Sequence, residues 1–195
     1  MNSPVTIIDS WDWWESNFHP EIVAIMRECV SQDETRFVLS LPFIRDGRAY
    51  ATDGRIMVSW AADYPDIGAT QKLPDALASL QPHLFDTVKE WRHSSTLAIP
   101  AELKEVCGTC GGGQVAECPC CHRDMECEDC YDGSKIDYSK SEIFKGCFFQ
   151  NRLLRKLGPD FDIGFLDSDL LAAAFIRLPH GGIGRLMPMR KEDQQ

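Results

Sequence analysis

The chain has 195 residues, of which 44% are apolar and 26% charged, the proportions of an ordinary globular domain. Asp and Glu number 30 against 20 Lys and Arg, a formal net charge of −10. These values exclude a disordered chain, a fibre and a globally basic nucleic-acid surface, while leaving room for a local basic face. No apolar run approaches the roughly 18 residues needed to cross a bilayer. The opening MNSPVTIIDSWDWWES lacks the basic region and apolar core of a secretion signal. A soluble, cytoplasmic protein without a membrane partner is the expectation.

In chain order, Val5 to Ile8 is a short β-branched run, followed by the aromatic and acidic DSWDWWESNF. Trp11, Trp13 and Trp14 either pack on their own domain or anchor a partner. Pro20 opens a predicted helix, PEIVAIMRECV, with Ile22, Ile25, Met26 and Cys29 at helical spacing. RFVLSLPFI and RAYATDGRIMVSW read as strands, with turn signals at Arg45-Asp46-Gly47 and Asp53-Gly54. LPDALASLQPHLFDTVKEW offers helical spacing at Leu73, Leu77, Leu80, Leu84 and Val88, interrupted by Pro82. Ser95 to Pro100 reads as a strand.

Residues 107–133 hold few large apolar side chains and cannot build a core alone, so they read as an insertion. Beyond them, KIDYS is a strand candidate and Phe148 to Leu157 a helix ended by Gly158-Pro159. DFDIGFLD is a strand, LLAAAFIRL is open between helix and strand, and IGRLMPMR is strand-like. The second part thus echoes the first as strand, helix, strands. The polar tail, 191–195, reads as disordered.

The insertion carries the strongest chemical signal. Three CxxC pairs, Cys107/Cys110, Cys118/Cys121 and Cys127/Cys130, fall within 107–133. Two intervening residues let both thiolates reach one ion, while the turn between them donates N–H groups to sulfur. The preferred set is Cys107, Cys110, Cys127 and Cys130 around one structural zinc. The middle pair either replaces an outer pair or joins Cys120 and His122 in a second site, so one or two Zn2+ are expected. A redox CxxC or unliganded thiols are the competing readings. Glu117, Asp124, Glu126, Glu128, Asp129 and Asp132 face Arg123 alone, so this surface repels phosphate and suits a protein-facing or stabilising role. The spacing resembles the DnaJ-type cysteine-rich domain, with three pairs where that family has four.

SQDETRFVLSLPFIRDGRAYATDGRIM, with its phrase Ala51-Thr52-Asp53-Gly54-Arg55, resembles the bacterial DNA polymerase III beta subunit, the sliding clamp. Leu186-Met187-Pro188-Met189-Arg190 is similar to the phrase that closes that family's chains. The helix from Phe148, then DFDIGFLDS and LLAAAFIRL, is similar in order to the last half-domain of a clamp. The resemblance implies an α+β fold: a duplicated strand–helix–strands clamp-like domain formed by 1–106 and 134–190 together, with 107–133 as the zinc-bound insertion.

It also implies a non-enzymatic scaffold of DNA replication or repair. In clamps the two phrases come from neighbouring domains and line a groove for short partner peptides. Here they correspond to Thr52, Gly54 and Arg55 with Met187, Pro188, Met189 and Arg190. Clamp helices line a central hole, which would turn Lys145, Arg152, Arg155 and Lys156 toward double-stranded DNA without sequence preference, in a homo-oligomeric ring. From the residues alone, that helix face is equally a solvated surface, and the methionines equally a core strand. A zinc-stabilised adaptor or inhibitor that keeps the clamp fold only as a scaffold is the alternative function. A phage or mobile element is a fitting source for so small an acidic chain. No catalytic constellation is present: the histidines at 19, 83, 93, 122 and 180 are scattered, and Gly181-Gly182-Ile183-Gly184 does not precede a helix.

Overall fold

The structure is a computed structural model and describes residues 10–31, 39–68, 80–102, 105–117, 124–126, 130–131, 134–135, 137–165 and 172–189. Val5 to Ile8, residues 73–79 of the helical pattern and the 191–195 tail lie outside these residues.

Helix α1 (Trp11–Asn17) buries Trp14. Pro20 pre-sets φ where no N–H is needed, and helix α2 (Pro20–Cys29) buries Ile22, Val23, Ile25, Met26 and Cys29 along one stripe. Strands β1 (Phe43–Arg45) and β2 (Arg48–Thr52) are joined by Asp46 (φ 50°) and Gly47 (φ 70°), both left-handed as a tight hairpin twist requires. Strand β3 (Ile56–Ala61) pairs antiparallel with β2. Helix α3 (Pro82–Phe85) and strand β4 (Glu90–His93) follow.

Further along the chain, β5 (Val115–Glu117) pairs with β6 (Asp124–Glu126), and β7 (Cys130–Tyr131) with β8 (Ser134–Lys135). Hairpin β9 (Lys140–Phe144) and β10 (Cys147–Gln150) leads into helix α4 (Asn151–Arg155). The chain closes with β11 (Asp162–Phe165), β12 (Ala174–Leu178) and β13 (Gly182–Leu186).

The result is a mixed α/β architecture around a seven-stranded sheet of order β1-β2-β3-β13-β12-β11-β4. Among the described residues, all of its strand pairings are antiparallel. Two meanders, β1–β3 and β11–β13, meet at β3 and β13, where Leu186 opposes Ile56 and Ile183 opposes Ser59. Of the expected strand–helix–strands echo, the two closing meanders lie in one sheet; the strand expected at Val5 to Ile8 lies outside the described residues.

Alternation along the strands buries both faces. Ala49, Ala51, Ile56, Val58, Trp60, Ile163, Ala174 and Ile176 join the helices in the main core. The intervening Tyr50, Met57 and Phe175 point the other way, onto Leu80, Phe85 and Val88.

Several elements differ from the sequence-based expectation. In the described part of RFVLSLPFI only Phe43 and Ile44 are strand, and in that of the helical pattern through Val88 only Pro82–Phe85 is helix. The helix expected over Phe148 to Leu157 is strand through Gln150 and helix only from Asn151, because Phe148 and Phe149 pair with Glu142 and Ser141. The strand expected over Ser95 to Pro100 begins instead at Glu90 and ends at His93, and Ser94–Thr96 is a 3-10 turn. KIDYS is not one strand: β8 ends at Lys135 and β9 starts at Lys140.

Candidate functional site

The ATDG phrase forms the β2–β3 turn, and three of its residues have a defined part in it. Thr52 is buried, and its hydroxyl donates to the Ile56 carbonyl (2.7 Å) while accepting from the Gly54 N–H (3.0 Å). Asp53 Oδ1 accepts from the N–H groups of Arg55 (2.8 Å) and Ile56 (3.0 Å), an Asx turn. Gly54 adopts φ 89°, where a β-carbon would be strained. Arg55 is exposed at the tip.

The MPMR phrase continues directly from β13 beside that turn. Met187 N–H donates to the Arg55 carbonyl (2.9 Å), and Met189 N–H donates to the Phe148 carbonyl (2.9 Å). Pro188, which has no N–H, lies between these two anchors. Met187 is 49% exposed, while Pro188 and Met189 are half-buried. Arg55 and Met187–Met189 therefore share one edge, between the β2–β3 turn and β10. Arg190 lies outside the described residues.

The cations expected to face DNA are held in different ways. Lys156 donates to Asp53 Oδ2 at 2.7 Å, with only 22% and 14% of the two side chains exposed. Arg155 pairs with Asp137 and donates to the Pro100 carbonyl at 2.9 Å. Burial pushes the Asp137 carboxyl up, but the Ser139 hydrogen bonds and Arg155 together outweigh it and hold the group below the ordinary range. Arg152 stands 5.2 Å over the Tyr138 ring and donates to Gln150 at 3.0 Å. Lys145 is exposed in the β9–β10 turn. Arg155 and Lys156 also line a hollow of about 220 Å³ with Glu21, Glu28 and Asp160, so the surface there carries both signs of charge.

In the cysteine-rich segment, Cys107 is buried and Cys110 half-buried. Gly113 N–H donates to the Cys110 carbonyl at 3.0 Å, closing a tight turn. Gly111 (φ 59°) and Gly112 (φ 89°) supply its left-handed steps. Cys130 lies on β7. Cys118, Cys121 and Cys127 lie outside the described residues.

Sequence reading missed two groupings. One is the Lys156–Asp53 pair. The other is His19, Glu21 and His180, treated as scattered but drawn together at one end of α2. Pro20, by marking His19 as a helix cap, is the sole sequence signal near it. Trp11, Trp13 and Trp14 pack on their own domain: Trp14 is fully buried, Arg27 covers Trp11, and Trp13 meets Tyr64 edge-on at 5.1 Å.

Fold and site together define a mixed α/β domain with a large antiparallel sheet, in which the β2–β3 turn and the segment after β13 share an edge. No protein-family model matches the chain, and no curated protein matches it in sequence. Among solved structures it is similar to the DNA polymerase sliding clamp from Pseudomonas aeruginosa, with a TM-score of 0.38 and 14% identity over 86% of this chain. The same clamp with ligand gives 0.38 and 15%. Both matches span 64% of the clamp chain. Among the described residues, no helix is long and apolar enough to cross a membrane.

Proposed function

We propose that the chain is a non-enzymatic, clamp-like scaffold of DNA replication or repair that captures short partner peptides along the Arg55–Met187 edge. The observation that carries this reading is the 2.9 Å hydrogen bond from Met187 N–H to the Arg55 carbonyl. It sets the ATDG and MPMR phrases side by side within one domain, so no second copy is needed to bring them together. Methionine side chains adapt to varied apolar partners, and a half-exposed Met187 beside a cationic Arg55 suits a peptide with apolar and acidic residues.

A DNA-facing role would rest on Lys145 and Arg152, because Arg155 and Lys156 are already engaged by carboxylates. A zinc bound by Cys107, Cys110 and further cysteines of the insertion would close that loop as a structural site. The test is fluorescence anisotropy with a labelled clamp-binding peptide. Binding to the native chain, lost at least tenfold in Met187→Glu/Met189→Glu with an unchanged melting temperature, supports the reading. Equal binding by both chains overturns it.

A second reading places the binding surface on the insertion, as an adaptor or inhibitor. It is favoured by the exposure of Val106 (70%), Val115 (46%) and Met125 (47%) in and beside that insertion. Deleting 107–133 behind a short Gly/Ser bridge would then remove partner binding while the sheet survives.

A further inference from the structure

His19, Glu21 and His180 offer one ligand atom each, and these atoms all lie within 4.8 Å of one another. His180 Nε2 stands 2.8 Å from Glu21 Oε2. The two imidazoles are 4.2 Å apart between centroids, tilted by 37°. The three side chains come from the start of α2 and from the turn between β12 and β13, so the fold assembles them rather than the local chain.

Two further features mark the place. His180 adopts φ 57° and ψ 32°, left-handed backbone that a residue with a β-carbon avoids unless something is gained. Its neighbour Gly181 is also left-handed, at φ 71°, so the turn puts a histidine where glycine would cost nothing. His19 caps α2 only weakly, its Nδ1 accepting the Glu21 N–H at 3.3 Å.

We infer that His19, Glu21 and His180 form a surface site for a divalent transition-metal ion, with water completing its coordination. Two imidazoles and a carboxylate suit Zn2+, Ni2+, Cu2+ or Fe2+ better than Ca2+ or Mg2+, which prefer all-oxygen shells. Bonds of roughly 2.0–2.2 Å to one ion place its ligand atoms about 3–4 Å apart, so the exposed side chains need only small rotations. Metal at His19 replaces the weak cap bond. The ion then ties the start of α2 to the β12–β13 turn. This site is separate in residues and in chemistry from the insertion cysteines and from the Arg55–Met187 edge.

The test adds Ni2+ to the full, untagged chain at neutral pH and follows amide signals by NMR, where the paramagnetic ion broadens its neighbours. Asparagine is a strong helix cap and tolerates left-handed backbone, so His19→Asn and His180→Asn should each keep the fold. The expected result is broadening centred on residues 19–22 and 178–182, saturating at one ion per chain. Each Asn variant should weaken it at least tenfold, and His93→Asn should leave it unchanged. If His180→Asn loses its native spectrum, Glu21→Gln must show the same weakening. Broadening confined to 107–133, unchanged affinity in the variants, or an equal loss in His93→Asn overturns the inference.

Discussion

Lys156 Nζ donates to Asp53 Oδ2 at 2.7 Å across 103 residues of chain. The contact fastens the segment after α4 to the β2–β3 turn, whose N–H groups the other Asp53 oxygen already accepts. The Asp53 carboxylate serves three donors, and an apolar residue leaves two N–H groups and an ammonium without an acceptor.

Asp53→Ala should therefore destabilise the chain by about 2–3 kcal/mol, the cost of leaving partly buried donors unpaired. Lys156→Met keeps the aliphatic stem and should lose only about 1 kcal/mol. A double-mutant cycle by urea unfolding should give a coupling of about 1–2 kcal/mol. Strict additivity would mean that the pair is a surface coincidence.

The glycines of GGIG are explained by packing rather than by a ligand. A β-carbon on Gly182 would sit 2.4 Å from Trp60 Nε1, and one on Gly184 would sit 2.7 Å from the Met57 carbonyl. Trp60 Nε1 also donates to the Pro179 carbonyl at 3.0 Å, so the indole is fixed. Gly182→Ala should cost about 1–3 kcal/mol from overpacking, read as a lower melting temperature. Gly181→Ala meets no such neighbour and should lose only about 1 kcal/mol, from its left-handed backbone.

Trp14 is fully buried, and among the described residues its Nε1 finds no hydrogen-bond partner. Trp14→Phe removes that unpaired donor with much of the ring volume kept, and should change stability by less than about 1 kcal/mol. Trp14→Ala should cost about 3–5 kcal/mol through the cavity it leaves. Thermal unfolding of the two variants distinguishes a packing role from a polar one.

Cys29 and Cys147 are 0% exposed, and burial pushes both thiols up, Cys147 from 9.0 to about 11. Folded, Cys147 keeps its proton while the unfolded chain releases it, so the unfolded state binds fewer protons. Stability should fall as pH rises from 9.0 toward about 11 and be flat in this group below that window. Cys147→Ala should make the alkaline decline shallower in urea midpoints. Both thiols should resist iodoacetamide until the chain is denatured, and rapid labelling would contradict the burial argument.

The sequence pattern was most informative where burial and local geometry coincide. PEIVAIMREC carries its inward stripe, and RAYATDGRIMVSW carries both its alternation and its turn. Phe149 shows why other segments were less legible. It has helical spacing with Leu153 and Leu157, yet its strand pairing with Ser141 and the Phe165 ring at 6.2 Å are tertiary facts. Strand β4 has almost no buried side chain and exists because β11 pairs with it, so no hydrophobic period announces it. The His19–His180 approach and the Lys156–Asp53 pair join distant parts of the chain, and a single sequence carries no distance between them. The two phrases were legible as words, but their shared hydrogen bond was not.

The most direct measurement of the central claim is an amide chemical-shift map of the full chain titrated with a short clamp-binding peptide. Peptide capture at the Arg55–Met187 edge should give saturable shifts at Thr52–Arg55 and Met187–Met189, with the signals of 107–133 unmoved. Shifts confined to the insertion, or none at all, would contradict it.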